Sequence, residues 1–226
     1  MEPIGGLIIP ANAEPEPPGG HVADDGQIVV IRPQVVENVG HVLGNMFQRI
    51  YHLVERTRES DVVTAADLES STRRLEGFLQ LFMDYVSPLP LSLQYVSATD
   101  VAQSLARQLG DALSCAVKID AKVPLDGRLL VDAGRLVRAF GLLRLQVRSE
   151  AGRSDAIQIK ATARTGGRSL TLVAVLPGSY VSGRSSESEI QWSVAEKLLE
   201  IHGGALQQSS TASGEVLWQI MLPLQS

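Results

Sequence analysis

Mostly apolar residues recur at steps of three and four along two stretches in the first half of the chain. The first set is Val35, Val39, Leu43, Met46, Ile50 and Leu53, and the second is Leu68, Ser71, Leu75, Phe78, Phe82 and Tyr85. This spacing places each set on one face of an α-helix. Polar sequence joins the stretches at 59–67, and Pro88 and Pro90 end the second helix. Residues 33–90 are therefore predicted to form a helical hairpin.

A hairpin with an apolar face on both arms needs another surface to cover that face. Two copies that form a four-helix bundle are the simplest solution, so a homodimer is expected. The predicted dimer seam consists of Leu43, Met46, Ile50, Leu75, Phe78 and Phe82.

The hydrophobic pattern becomes mixed after the two prolines. Helical spacing marks residues 99–113, 132–147 and 193–202, whereas strand-like alternation marks 117–123, 156–163, 169–175 and 216–222. Helices and strands that share one compact unit favour the α+β class. Residues 91–226 are therefore predicted to form an α/β sandwich domain.

Residues 1–32 have a different composition, rich in Pro, Gly and acidic residues. Such a segment buries too little apolar surface to offset the entropy lost on ordering, so a flexible tail is predicted.

Composition and charge narrow the range of partners. The 226 residues carry a formal net charge of -5, which argues against nucleic acid as a partner. No run approaches the roughly 18 apolar residues of a membrane span, so a cytoplasmic protein without membrane insertion is expected. Cys115 is the single cysteine and the four histidines are scattered, so neither a disulfide nor a metal site is expected.

Several short motifs stand in a fixed order along the chain. His-Val-Leu-Gly-Asn-Met-Phe at 41–47 is close to a His-Glu-x-x-Asn-Pro-x box, and Val-Asp-Ala-Gly-Arg-Leu at 131–136 matches Asp-x-x-Arg-Leu. A helix-like segment at 194–201 leads into His-Gly-Gly at 202–204, and a strand ends at Leu222-Pro223. In this order the motifs resemble the core of bacterial sensor histidine kinases over nearly all of residues 33–226. The resemblance implies a dimerisation and phosphotransfer hairpin, followed by an ATPase-like domain in which His202 belongs to a structural turn.

The positions that bind nucleotide in that family are altered in this sequence. By the resemblance, the magnesium-binding asparagine corresponds to Gln146 and the adenine-binding carboxylate to Leu176. Two glycines of the phosphate-binding segments correspond to Tyr180 and Gln191. Side chains at the glycine positions block the close approach of backbone to phosphate. Leucine cannot accept a hydrogen bond from the adenine amine. Hence no cofactor is expected, and autokinase activity is predicted to be absent.

His41 is the candidate phosphoacceptor, with Asn45 in a supporting role. His41 lies about 200° around the helix from Val39 and Leu43, so it points away from the apolar face. A neutral imidazole is a competent nucleophile toward phosphorus. Gly44, Gln48 and His52 are predicted to form the partner interface around it.

The preferred hypothesis is a two-component signalling protein that docks response-regulator receiver domains and relays phosphoryl groups through His41 without ATP. It would be a histidine phosphotransferase. The alternative is an inert pseudokinase scaffold, which Val42 favours because the family has an acidic residue at that position. A sensor kinase is a further candidate partner. An ATP-dependent histidine kinase ranks last.

Overall fold

A computed structural model describes residues 32–58, 65–86, 91–113, 117–121, 127–147, 157–163, 169–177 and 185–225. Five helices and seven strands are assigned within these ranges. Their order is α1 (Pro33–Arg58), α2 (Ala65–Val86), β1 (Gln94–Ser97), α3 (Ala98–Leu113), β2 (Val117–Ala121), β3 (Arg128–Val131), α4 (Ala133–Arg144), β4 (Ile157–Ala163), β5 (Ser169–Leu176), α5 (Ser186–Glu200), β6 (Ala205–Ser210) and β7 (Val216–Pro223).

The α+β class is confirmed, with a helical hairpin followed by a two-layer sandwich. α1 and α2 pack against each other and against α5. The main sheet has the order β2-β4-β5-β7-β6, in which β2 pairs parallel with β4 and the other pairs are antiparallel. β1 and β3 form a separate antiparallel pair.

The main sheet has one face in the core. Inward positions alternate along its strands, as in Leu170, Leu172, Ala174 and Leu176 of β5, and they are buried. These side chains belong to the same apolar cluster as the buried faces of α3, α4 and α5. Alternation of this kind is what a half-covered antiparallel sheet requires.

Four elements differ from the sequence prediction. α5 begins at Ser186 and not at residue 193, because Ser185 and Ser188 form a reciprocal capping box that starts the helix two turns earlier. β1 and β3 have only four residues each, and β6 carries Gln-Gln-Ser-Ser without apolar alternation. The alternation of apolar and polar residues therefore did not predict these three strands.

The domain boundaries stay predictions. The described residues do not include the segment 1–31, Pro88, Pro90 or Cys115. They also do not include residue 156, where the strand 156–163 was predicted to begin.

Polar pairs fix the hairpin against α5 and α4. Asn38 Nδ2 donates to Glu189 Oε2 at 2.7 Å, and Arg74 Nη2 lies 2.6 Å from Glu187 Oε2. At the other end of α2, the buried Asp84 accepts from Arg138 Nη2 at 3.1 Å. The hairpin and the sandwich therefore meet along α5, next to the face of α1 that carries His41.

Candidate functional site

His41 is exposed on the polar side of α1, as predicted. Asn45 Nδ2 lies 3.3 Å from His41 Nε2. An amide nitrogen only donates, so this contact requires the tautomer in which Nδ1 carries the proton and Nε2 keeps its lone pair. Gln48 and His52 are exposed on the same side. The structure therefore brings together His41 and Asn45, whereas His52 lies further along the helix with its Nδ1 3.9 Å from Glu55.

A cavity of about 520 Å³ opens beside His41 between the hairpin and α5. We name it the His41 cavity. It is lined by His41, Val42, Asn45, Met46, Arg49, Ser71, Arg74, Ser185, Ser186 and Glu187. Sequence patterns gave no indication of this cavity, because its lining comes from α1, α2 and α5 and unites residues more than 100 positions apart.

The neighbours of His41 on α1 have distinct surroundings. Val42 is buried and faces the interior of the chain. Gly44 is exposed, and a Cβ at this position would meet no heavy atom of the described residues within 4 Å. Packing within the chain therefore gives no reason for a glycine at this point of the helix.

Two of the positions that the resemblance aligns with nucleotide-binding residues contact each other. Gln146 is buried at the end of α4, and its Nε2 donates to Gln191 Oε1 at 3.0 Å. Leu176 is fully buried in the sheet, whereas Tyr180 lies outside the described residues. Gln191 lies on the second turn of α5.

A second cavity, of about 420 Å³, remains next to Gln146. We name it the cleft cavity. Its charged lining residues are Arg32, Glu189 and Glu196, so the described lining carries one cation against two anions. Arg32 Nη2 bonds Glu196 at 2.6 Å, and the hydrogen bonds to Tyr85 and Glu196 raise the pKa of the Arg32 guanidinium. The start of α1 thus closes one side of this cavity.

Trp192 on α5 and Trp218 on β7 contact each other beside the cleft cavity. Their rings meet edge to face at 5.8 Å. Trp218 is buried on β7, whereas Trp192 also lines the cleft cavity. Trp218 therefore fills the core, and Trp192 packs against it as part of the cavity wall.

The predicted seam of the hairpin divides into two parts. Met46 and Phe78 are buried within the chain, while Leu43, Leu75, Phe82 and Ile50 are only partly covered. Beside this seam a further stripe is exposed, which consists of Val36, Phe47, Tyr51 and Val54 on α1 and Leu79 and Met83 on α2. About half of the circumference of each helix is apolar, and one chain covers only part of it.

His202 has a structural role. Its Nδ1 lies 2.6 Å from the carbonyl of Leu198, and its Nε2 accepts from the backbone N–H of Asp132 at 3.0 Å. Asp132 in turn caps α4 by accepting from the backbone N–H of Arg135, and this bond lowers the pKa of the Asp132 carboxyl. The two motifs at 131–136 and 202–204 are therefore joined in the fold.

Within the described part of the chain, no group of three or more His, Cys, Asp or Glu side chains is placed to hold a metal ion. In the same ranges, no helix combines the length and the apolar composition needed to cross a bilayer.

Comparison with solved structures identifies the fold. The Acinetobacter baumannii histidine kinase AdeS aligns with a TM-score of 0.57 at 11% identity, over 82% of this chain and 98% of that one. The histidine kinase ThkA, solved in complex with the response regulator protein TrrA, aligns with a TM-score of 0.61 at 13% identity, over 85% of this chain and 62% of that one. No protein-family model and no curated protein matches the sequence. The chain therefore has the fold of a sensor histidine kinase core, with a helical hairpin followed by an ATPase-type α/β sandwich.

Proposed function

We propose that the chain is a homodimeric phosphotransfer protein of two-component signalling, which accepts phosphoryl groups from response-regulator receiver domains at His41 and does not use ATP. The observation that carries this proposal is His41 itself. It is exposed on the polar side of the hairpin, with Nε2 facing Asn45 and a polar cavity beside it. ThkA, which shares the fold, was captured with a response regulator, and this favours a receiver domain as the partner.

The transfer requires little from the hairpin beyond access and orientation. The Asn45 amide first releases its hydrogen bond to His41 Nε2, and the freed lone pair of Nε2 then attacks the phosphorus of the receiver's aspartyl phosphate. The N–P bond forms as the P–O bond to the aspartate breaks, and the electron pair leaves with the carboxylate. The proton on Nδ1 is then lost to water. Magnesium bound by the receiver supplies the charge neutralisation that phosphoryl transfer needs.

The surroundings of Gln146 support independence from ATP. Gln146 Nε2 donates to Gln191 Oε1, and Gln191 places a side chain on α5 at a position where the resemblance expects a glycine that lets the backbone approach phosphate. The cleft cavity carries two carboxylates against one guanidinium, a balance that repels a triphosphate. Leu176 offers no acceptor for an adenine amine.

The exposed stripe on the hairpin supports a homodimer. Phe47, Tyr51 and Val54 follow steps of four and three on α1, and Leu79 and Met83 are four residues apart on α2, next to a face that the chain already buries. Exposed apolar patches of this kind mark surfaces that another protein covers, and a second hairpin offers the matching surface for a four-helix bundle.

The test is transfer of label from a phosphorylated receiver in the absence of nucleotide. We expect label on the wild-type chain and on His52→Gln, and none on His41→Gln. His52→Gln is the matched control, because it removes a second exposed imidazole of the same helix. If the His41→Gln chain accepts label as fast as the wild type, the role proposed for His41 is wrong.

A second candidate function is a scaffold that binds a receiver or a sensor kinase without chemistry. Val42 favours it, because a buried aliphatic side chain stands next to His41 where the kinases have an acid. In that case His41→Gln would leave receiver binding and signalling unchanged, while Gly44→Trp would abolish both by blocking the docking face.

A further inference from the structure

The charge of the His41 cavity is opposite to that of the cleft cavity. Its charged lining residues among those described are Arg49, Arg74 and Glu187, in addition to His41. Two cations against one anion leave a net charge of +1 before His41 is counted. Arg74 is already paired with Glu187 at 2.6 Å, so a carboxylate occupies part of the place that an incoming anion would take.

The N-terminus of α5 faces the same cavity. The capping box uses the N–H groups of Ser185 and Ser188. Ser186 and Glu187, which both line the cavity, follow the cap directly, and the first N–H groups of a helix have no intrahelical acceptor. These groups, together with the dipole of a 15-residue helix, favour an anion at this position.

Ser71 supplies an independent indication of a ligand. It lies on α2, it is only 7% exposed, and it lines the His41 cavity. Its Oγ has no hydrogen-bond partner among the described residues. Buried hydroxyl groups are nearly always hydrogen-bonded, so this hydroxyl fits a site that receives an acceptor oxygen.

We propose that the His41 cavity is a binding site for a phosphoryl group, and that its occupant is the phosphoryl group carried by His41. Arg49, Arg74 and the hydroxyl of Ser71 bind its oxygens together with the first N–H groups of α5. Arg74 exchanges the carboxylate of Glu187 for the phosphoryl oxygens. This inference rests on the proposed function, and it gives the sandwich domain a task other than nucleotide binding: α5 holds the phosphorylated histidine.

The site can be tested without any receiver. Potassium phosphoramidate phosphorylates accessible histidines chemically, and ³¹P NMR then follows the titration of each phosphoryl group. Cations nearby favour the dianion, so we expect the pKa of the phosphoryl group on His41 to lie about one unit below that on His52 of the same chain. His52 is the internal reference, because its side chain is 73% exposed and it does not line the cavity. The Glu55 carboxylate lies 3.9 Å from His52 Nδ1, so Glu55→Gln is measured alongside to remove its effect on the reference.

Matched variants assign the effect to the cavity. Arg74→Gln should remove most of the difference in pKa, whereas Arg73→Gln should leave it unchanged, because Arg73 pairs with Glu69 on the exposed side of α2. Glu187→Gln should enlarge the difference, since it frees Arg74. Equal pKa values on the two histidines in the wild-type chain would overturn the proposal, and so would a failure to phosphorylate His41 while His52 is labelled.

A second measurement separates the sources of the phosphoryl group. Inorganic phosphate is titrated into the unphosphorylated chain, and the amide resonances of Ser186 and Glu187 are followed. If phosphate shifts them while phosphorylated His41 shows no difference in pKa, the cavity binds free anions and the assignment to His41 is wrong. If the difference in pKa is present but no receiver transfers label, the His41 cavity binds the phosphoryl group and the proposed function is wrong.

Discussion

Phe47 offers the most direct test of the proposed dimer. It belongs to the exposed stripe of α1, where its side chain is 57% exposed in the single chain. An aromatic side chain buries about 150–250 Å² in full, so covering the exposed part of Phe47 removes on the order of 110 Å² from water. At about 25 cal/mol per Å² this amounts to about 3 kcal/mol per copy.

Replacing Phe47 with Ala should therefore weaken the dimer strongly. Alanine keeps the Cβ, so the loss is about 2 kcal/mol per copy and about 4 kcal/mol for the two copies of a symmetric interface. The dissociation constant should then rise roughly 10³-fold. The free energy of unfolding of the isolated chain should change by less than about 0.5 kcal/mol, because the site is on the surface.

Sedimentation velocity over a range of concentrations measures this change. Tyr95→Ala is the matched control, since Tyr95 is an aromatic residue that is 65% exposed on β1, away from the hairpin. It should leave the dissociation constant unchanged. A wild-type chain that stays monomeric at every concentration, or a Phe47→Ala chain that dimerises like the wild type, would rule out the proposed dimer interface.

Three further predictions concern the hairpin contacts and the helix caps. Asp84→Ala should lower the free energy of unfolding by about 1–2 kcal/mol in denaturant melts. This loss is smaller than that for breaking a fully buried ion pair, because the Arg138 side chain is half exposed. Asp132→Ala should cost about 1 kcal/mol at pH 7 through loss of the α4 cap. The pKa of Asp132 is lowered in the folded chain, so its contribution is fully present above the ordinary aspartate pKa of about 4. It is lost as the pH falls through the lower pKa of the folded state, below which the two melts should converge. A constant difference across pH would contradict this. Gly44→Ala should stabilise α1 by about 0.5–1 kcal/mol, yet it should slow phosphoryl transfer from the receiver. The control Gly141→Ala on α4 should leave the transfer rate unchanged. Equal transfer rates in both variants would show that no partner approaches Gly44 closely.

Local sequence patterns predicted much of the hairpin and the sheet. Steps of three and four identified α1 and α2, and alternation identified β5 and β7, because each of these elements buries one continuous face. β6 was not predicted, because Gln207 and Gln208 interrupt the alternation of apolar and polar residues along it. The start of α5 was not predicted, because it depends on a capping box of two serines. Such a sequence resembles an ordinary polar loop.

The candidate site was only partly accessible from the sequence. The motif around His41 identified the imidazole and Asn45, since both lie on one turn of one helix. Arg49, Arg74 and Glu187 could not be assigned to it, because only the packing of α5 against the hairpin brings them together. The apolar face of α1 and α2 is also broader than the predicted seam, because Phe47, Tyr51 and Leu79 lie exposed beside it.

The proposed function requires that phosphoryl groups reach His41 from a receiver and not from ATP. Parallel labelling tests it most directly: the purified chain is incubated either with ³²P-phosphorylated receiver without nucleotide, or with γ-³²P-ATP and magnesium without receiver. We predict acid-labile, base-stable label on the wild-type chain in the first reaction, no label on His41→Gln, and none on either chain in the second. Label on the wild-type chain from ATP alone, or its absence with every receiver of a broad panel, would contradict the account.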